Sequence, residues 1–148
     1  MMGKMSRQKG VRAELEVCKI LSRAWGGKFR RSGPGFEGED ILTPKDFPHH
    51  VEVKDRADIK LKHLFKPHKA LRDCIKQAVS QAEPDRYGVR LWLLAIKMDG
   101  IWIAVVPFLG RFLGLVDYMR IPGIDAMFFP LEKLCLPREP QETVSGVV

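Results

Sequence analysis

The 148-residue chain has only three cysteines and no long uninterrupted hydrophobic run. Cys18, Cys74 and Cys135 are odd in number, far apart and without a CxxC. That pattern favours buried thiols in a reducing compartment over disulfides or a zinc site. The most apolar stretch, residues 91–109, is interrupted by Lys97, Asp99, Gly100 and Pro107, so it cannot span a bilayer. The N-terminus is basic, but no apolar run follows it, and no signal peptide is expected. Gly3 is not where myristoylation needs a glycine. No internal repeat is present. The expected location is cytoplasmic, with no membrane partner.

What the chain does have is positive charge, unevenly spread. Residues 1–72 carry 17 Lys and Arg against 9 Asp and Glu, whereas residues 73–148 carry 8 against 9. A basic half joined to a neutral half suits a polyanion, nucleic acid before an anionic membrane. The length fits one domain, here residues 1–136, with a mobile basic arm at 1–8 and a disordered tail at 137–148.

A helix is expected from Gln8 or Lys9 to Trp25, ended by Gly26-Gly27. At 100° per residue, Arg12, Glu16, Lys19 and Arg23 form a narrow charged stripe. Val11, Ala13, Leu15, Val17, Cys18, Ile20, Leu21, Ala24 and Trp25 fill the apolar arc, and Glu14 lands near its middle. Glu16 thus has a surface explanation and Glu14 does not. A carboxylate on a buried face needs a cationic partner or a metal. A Glu–Arg or Glu–Lys pair and a functional carboxylate both fit.

Residues 28–31 read as a short basic strand, followed by a loop over 32–38 with three glycines but no phosphate-loop spacing. Residues 39–54 then read as two short strands joined by a turn rich in Pro and Asp, the first opening with Asp40. In the second, alternation puts His50, Glu52 and Lys54 on one face and Val51 and Val53 on the other. Two acids on neighbouring strands with an ammonium beside them suit a hard divalent cation and a phosphodiester. A half-solvated strand with an ordinary ion pair fits the same alternation.

Residues 55–69 are basic with few structure signals. A second helix is expected from Lys69 to Glu83, before Pro84, with Gln77 and Gln81 at the boundary of its apolar face. Residues 89–97 and 101–106 read as a hairpin around Asp99-Gly100, its strands covered on both faces. Residues 108–136 are apolar but broken by Gly and Pro. Phe108, Phe112, Leu115, Met119, Met127, Phe128 and Phe129 exceed what a small core needs, which suggests a subunit interface.

This order resembles the PD-(D/E)xK nuclease superfamily and, within it, the archaeal-type (Hjc-like) Holliday junction resolvases, which also occur in phages. The resemblance covers residues 7–97. Its motifs are Lys9-Gly10-x-x-x-Glu14, Ser32-Gly33, Asp40-Ile41, Glu52-Val53-Lys54 and Gln77-Ala78. Glu39 stands where a proline is usual. The resemblance implies an α/β fold, a restriction-endonuclease-like mixed β-sheet flanked by α-helices. It implies a structure-selective DNA endonuclease resolving four-way junctions as a homodimer, in the host cytoplasm if phage-encoded. One or two Mg²⁺ or Mn²⁺ would be held by Asp40, Glu52, the Val53 carbonyl and Glu14, with Lys54 acting on the attacking water or the phosphate charge. Gln77 and Ser32 would position these groups. Arg7, Lys9, Arg12, Arg30, Arg31, Arg56, Lys60, Lys62 and Lys66 are the expected DNA contacts. A general, repair or restriction-type nuclease of this superfamily, or a non-catalytic nucleic-acid-binding protein of the same fold, stays open.

Overall fold

The computed structural model describes residues 4–32, 40–108 and 118–134, with side chains from Gln8 onward. Gly33, Phe112, Leu115, Cys135 and the 137–148 tail lie outside the described residues.

Helix α1 runs Lys4–Ala24. It begins inside the stretch expected to be a basic arm, because nothing between Lys4 and Lys9 breaks a helix. It ends as expected, with Gly26 and Gly27 both at φ 92°, a conformation costly for residues with a Cβ. A Cβ at Gly27 would also lie 2.9 Å from the Pro44 ring. Strands β1 (Arg30–Arg31) and β2 (Ile41–Leu42) form a small antiparallel ladder of their own. β3 (His50–Asp55), β4 (Trp92–Met98), β5 (Ile101–Pro107), β6 (Met119–Arg120) and β7 (Ala126–Pro130) form a mixed sheet in the order β3-β4-β5-β7-β6. β3 and β4 are parallel, joined by a crossover through α2 (Lys69–Gln81). Asp99 (φ 51°) and Gly100 (φ 80°) make the tight β4–β5 turn.

Each face of the sheet buries one helix. Val17 and Leu21 of α1, with Trp25 just past its end, pack on Val51, Val53, Leu93, Ala95, Ala104 and Phe129. Leu71, Cys74, Ile75 and Ala78 of α2 pack on Leu94, Ile96, Val105 and Phe128. Truncating any fully buried leucine here to Ala should cost about 2–5 kcal/mol. α2 ends before Pro84, its last carbonyls capped by the Arg90 guanidinium, which donates to Ala82 O at 2.7 Å. Its start is held by His68, whose Nδ1 accepts the Leu71 N–H.

The fold is the α/β sheet flanked by helices that the motif order implied. Four local expectations change. Asp40 precedes β2, and β2 pairs with β1 rather than with β3. Leu15 is 49% exposed, because it lies at the rim of the apolar arc beside the charged stripe. The basic stretch after β3 folds as a 3-10 turn over Leu61–Leu64, pinned by buried Ile59 and Leu64. Met127, Phe128 and Phe129 are buried in the chain's own core, so much of the apolar surplus needs no partner.

Candidate active site

Among the described residues, β3 lies at the edge of the sheet, with β4 as its one ladder partner. The parallel register begins with His50 N–H donating to Leu91 O at 2.9 Å, so the backbones of residues 50, 52 and 54 face β4. Those of 51, 53 and 55 therefore face the open edge. There the Val53 N–H donates to Asp40 Oδ2 at 2.9 Å. A residue's C=O follows its N–H to the same edge, which brings the Val53 carbonyl beside the Asp40 carboxylate.

Asp40 is held from behind. The Ser32 N–H and its hydroxyl both donate to Asp40 O at 3.1 Å. The turn between β2 and β3 is anchored by edge-to-face contacts of Phe47 with Trp25 and Phe29, at 5.1 and 5.0 Å between ring centroids. Thus the helix terminus, the β1–β2 ladder and β3 are fixed relative to one another where Asp40 stands.

Glu52 is buried on β3, with His50 Nε2 3.0 Å from its Oε1. Burial raises its pKa above the ordinary carboxylate value, the His50 hydrogen bond opposes that, and the Asp40 charge adds to it. Glu14 approaches the same place from α1. Its pKa is raised by burial; the hydrogen bond from Arg31 Nε, at 2.6 Å, opposes this, and the Asp40 charge adds to it. Glu14 therefore both faces the acidic site and has the arginine partner that a buried carboxylate requires. Glu16 lies elsewhere. Trp102 Nε1 donates to it at 2.7 Å and Lys97 Nζ at 3.3 Å, and the Trp102 hydrogen bond lowers its pKa despite a little burial.

Lys54 shares Glu52's face of β3 and is half-buried. Burial raises the pKa of Cys74, on the α2 surface opposite, and the Arg56 and Lys54 charges oppose that. The crossover sets α2 antiparallel to β3, so the turn from Cys74 to Gln77 leads back from the level of Lys54 toward that of Glu52. Gln77 is exposed there.

The expected DNA contacts differ in their surroundings. Arg12, Arg30, Lys62 and Lys66 are exposed. Lys9 lies 3.8 Å from Asp55, and Lys60 3.8 Å from Asp99. Arg56 is engaged by Asp58 at 2.6 Å, and Arg31 by Glu14. The Arg7 side chain lies outside the described residues. Two pairings were not foreseen as specific contacts, His50 with Glu52 and Arg31 with Glu14. The first was readable from strand alternation, which puts residues 50 and 52 on one face.

Among the described residues, no group of three or more His, Cys, Asp and Glu side chains is arranged to hold a metal ion. The oxygens that do converge are the carboxylates of Asp40 and Glu52, with the Val53 carbonyl at the same edge. Such a hard set fits Mg²⁺ or Mn²⁺, which take one or two carboxylates and complete their shell with water and phosphate.

A mixed sheet between helices, with an aspartate against the free edge of a Glu-x-Lys strand, defines a restriction-endonuclease-like protein. Residues 5–109 match the family model described as "Phage putative PDDEXK endonuclease". The match spans well over half of the chain, and the chain belongs to this family of PD-(D/E)xK nucleases, which usually use divalent metals. No curated protein and no solved structure matches the chain. Among the described residues, no helix is long and apolar enough to cross a membrane.

Proposed function

We propose that the chain is a Mg²⁺- or Mn²⁺-dependent endodeoxyribonuclease acting on branched DNA, four-way junctions foremost, as a two-fold homodimer in the host cytoplasm. The observation that carries the nuclease reading is the Asp40 carboxylate seated on the Val53 N–H beside Glu52, at an open strand edge that a phosphate can reach. A bound metal would polarise the phosphate and lower the pKa of a water. Asp40, Glu52 and the Val53 carbonyl would hold it, with Glu14 joining once Arg31 leaves for DNA phosphate. Lys54 sets an ammonium on Glu52's side of β3, suited to orienting the water or balancing charge on the phosphate. Ser32 fixes Asp40, and Gln77 lines the approach from α2.

The junction reading rests on the resolvase-like motif order and on symmetry, since paired incisions require two sites. Exposed Met119 and Phe65 leave apolar surface for a second copy. A general nuclease is favoured by a different observation, the family description, which specifies no branched substrate. Cleavage of four-way, flapped and linear DNA with Mg²⁺ or Mn²⁺, alongside sedimentation, separates the readings. A dimer that cuts the junction first supports resolution. A monomer, or equal cutting of junction and linear duplex, leaves the general nuclease. No cleavage of any DNA by the metal-loaded protein sinks both.

A further inference from the structure

A cleft of about 640 Å³ opens from the candidate site along α1, toward the C-terminal end of β3. Glu14, which feels the Asp40 charge, and Val53, whose N–H holds Asp40, both line it, so it adjoins the carboxylate site. Its walls are small and largely apolar, Gly10 and Ala13 on α1 and Ala57 opposite. Its rim carries two cations, Lys9 and Arg56, each steered by a carboxylate, Asp55 at 3.8 Å and Asp58 at 2.6 Å.

Gly10 is the feature that packing does not explain. It lies seven residues into a 21-residue helix, where glycine costs about 1 kcal/mol relative to alanine. A Cβ built there would meet nothing within 4 Å, so no neighbouring group requires its absence. The helix lacks a side chain facing open space, one turn before Glu14. Glycine at such a place lets a ligand approach the backbone closely.

Building on the nuclease reading, we propose that this cleft seats the deoxyribose of the nucleotide next to the scissile phosphate, with Gly10 as the residue that admits it. The uncharged, CH-rich sugar face suits the small apolar walls. The phosphates flanking it would fall on Lys9 and Arg56 at the rim, while the scissile phosphate reaches Asp40 and Glu52. The cleft thereby sets the register of the strand over the carboxylates, and Gly10 is a positioning residue for the cut.

The test compares Gly10→Ala and Gly10→Leu with wild type, and uses Leu15→Gln as an exposed control on the same helix. Affinity for duplex and junction DNA is measured in EDTA, cleavage with Mg²⁺, and melting temperature alongside. Both Gly10 variants should melt at or above wild type, since Ala and Leu are better helix formers. Gly10→Leu should bind DNA about tenfold more weakly, or shift the cut along the strand, with Gly10→Ala intermediate and Leu15→Gln unchanged. Binding, rate and cut position like wild type in Gly10→Leu would overturn the cleft while leaving the nuclease reading intact. If wild type cuts no DNA yet Gly10→Leu still loses binding, the nuclease reading fails and the DNA-binding cleft stands.

Discussion

At one edge of the five-stranded sheet, β3 runs six residues with Val51, Glu52 and Val53 all buried; at the other, β6 runs two, and Met119 and Arg120 are both exposed. Both edges leave backbone groups that a neighbouring chain can pair with. β6 is blunted by being short and charged: Arg120 lies 4.4 Å over the Phe108 ring and 3.6 Å from Asp125. β3 is blunted by a carboxylate, Asp40 on the Val53 N–H. The same group that protects this edge is the one suited to hold a metal. The cost is a second carboxylate, Glu52, buried nearby with its pKa raised. One edge is closed cheaply and the other is kept chemically open.

The comparison breaks most visibly at Asp40. Asp40→Asn keeps an acceptor for the Val53 N–H but removes the charge. Outer partners of metal ligands typically cost 10–100-fold when removed, so losing a ligand should slow cutting by more than roughly 100-fold. DNA binding should survive, because an anionic charge has been removed from a phosphate site. Wild-type cleavage rates in this variant would show that the β3 edge is merely a protected edge.

Glu14 and Glu16 sharpen it next. Glu14→Gln should slow cutting about 10–100-fold, the range for groups that support a metal site. Glu16→Gln keeps an oxygen for Trp102 and loses only the Lys97 charge pair, so cutting should stay within about twofold and stability within about 1 kcal/mol. Single-turnover rates of the two variants decide it, and equal losses would put the catalytic carboxylate elsewhere.

The different surroundings of Glu14 and Glu16 were legible in the sequence because a long helix fixes phase, and residues two apart stay on opposite sides of it. Phase is weakest at the rim of the arc, where Leu15 was expected to be buried and is not. The Val-Glu-Val-Lys alternation and the Asp99-Gly100 turn were readable for the same reason, a local rule acting over several residues. Two-residue strands have no period, so nothing local told β2 to pair with β1. The apolar run at 127–129 was visible as surplus, but composition does not say whose core receives it. The Arg31 partner of Glu14 depended on a contact across 17 residues, which charge alone left open.

Stability should move opposite to activity at the β3 edge. Glu14 and Glu52 have folded pKa values above their ordinary one, chiefly from burial. Relative to the unfolded chain, the metal-free fold favours their protonated forms. The contribution is therefore fully present below the ordinary carboxylate pKa and is lost as pH rises through the raised folded values. Glu52→Gln should raise the melting temperature of metal-free protein by a few degrees at neutral pH while abolishing cutting. The gain should shrink on acidification toward pH values where wild-type Glu52 is protonated. Melting curves in EDTA across that range check it, and a pH-independent difference would mean that burial of the charge is not the cause.

The smallest effect belongs to the far edge. Arg120→Ala removes a cation over Phe108 and an exposed ion pair, worth together about 0.5–1 kcal/mol. β6 is separated from β3 by three strands, so no group of the candidate site touches the change. Cutting of linear DNA should match wild type, with melting lowered by a few degrees at most. The same variant also bears on assembly. Met119 is exposed beside Arg120, and two copies meeting along β6 would bring the two arginines together. Removing Arg120 should then strengthen association in sedimentation. A weaker dimer would mean that Arg120 is itself a contact across the interface. An unchanged one would move the interface away from β6, leaving Phe65 as the exposed apolar candidate.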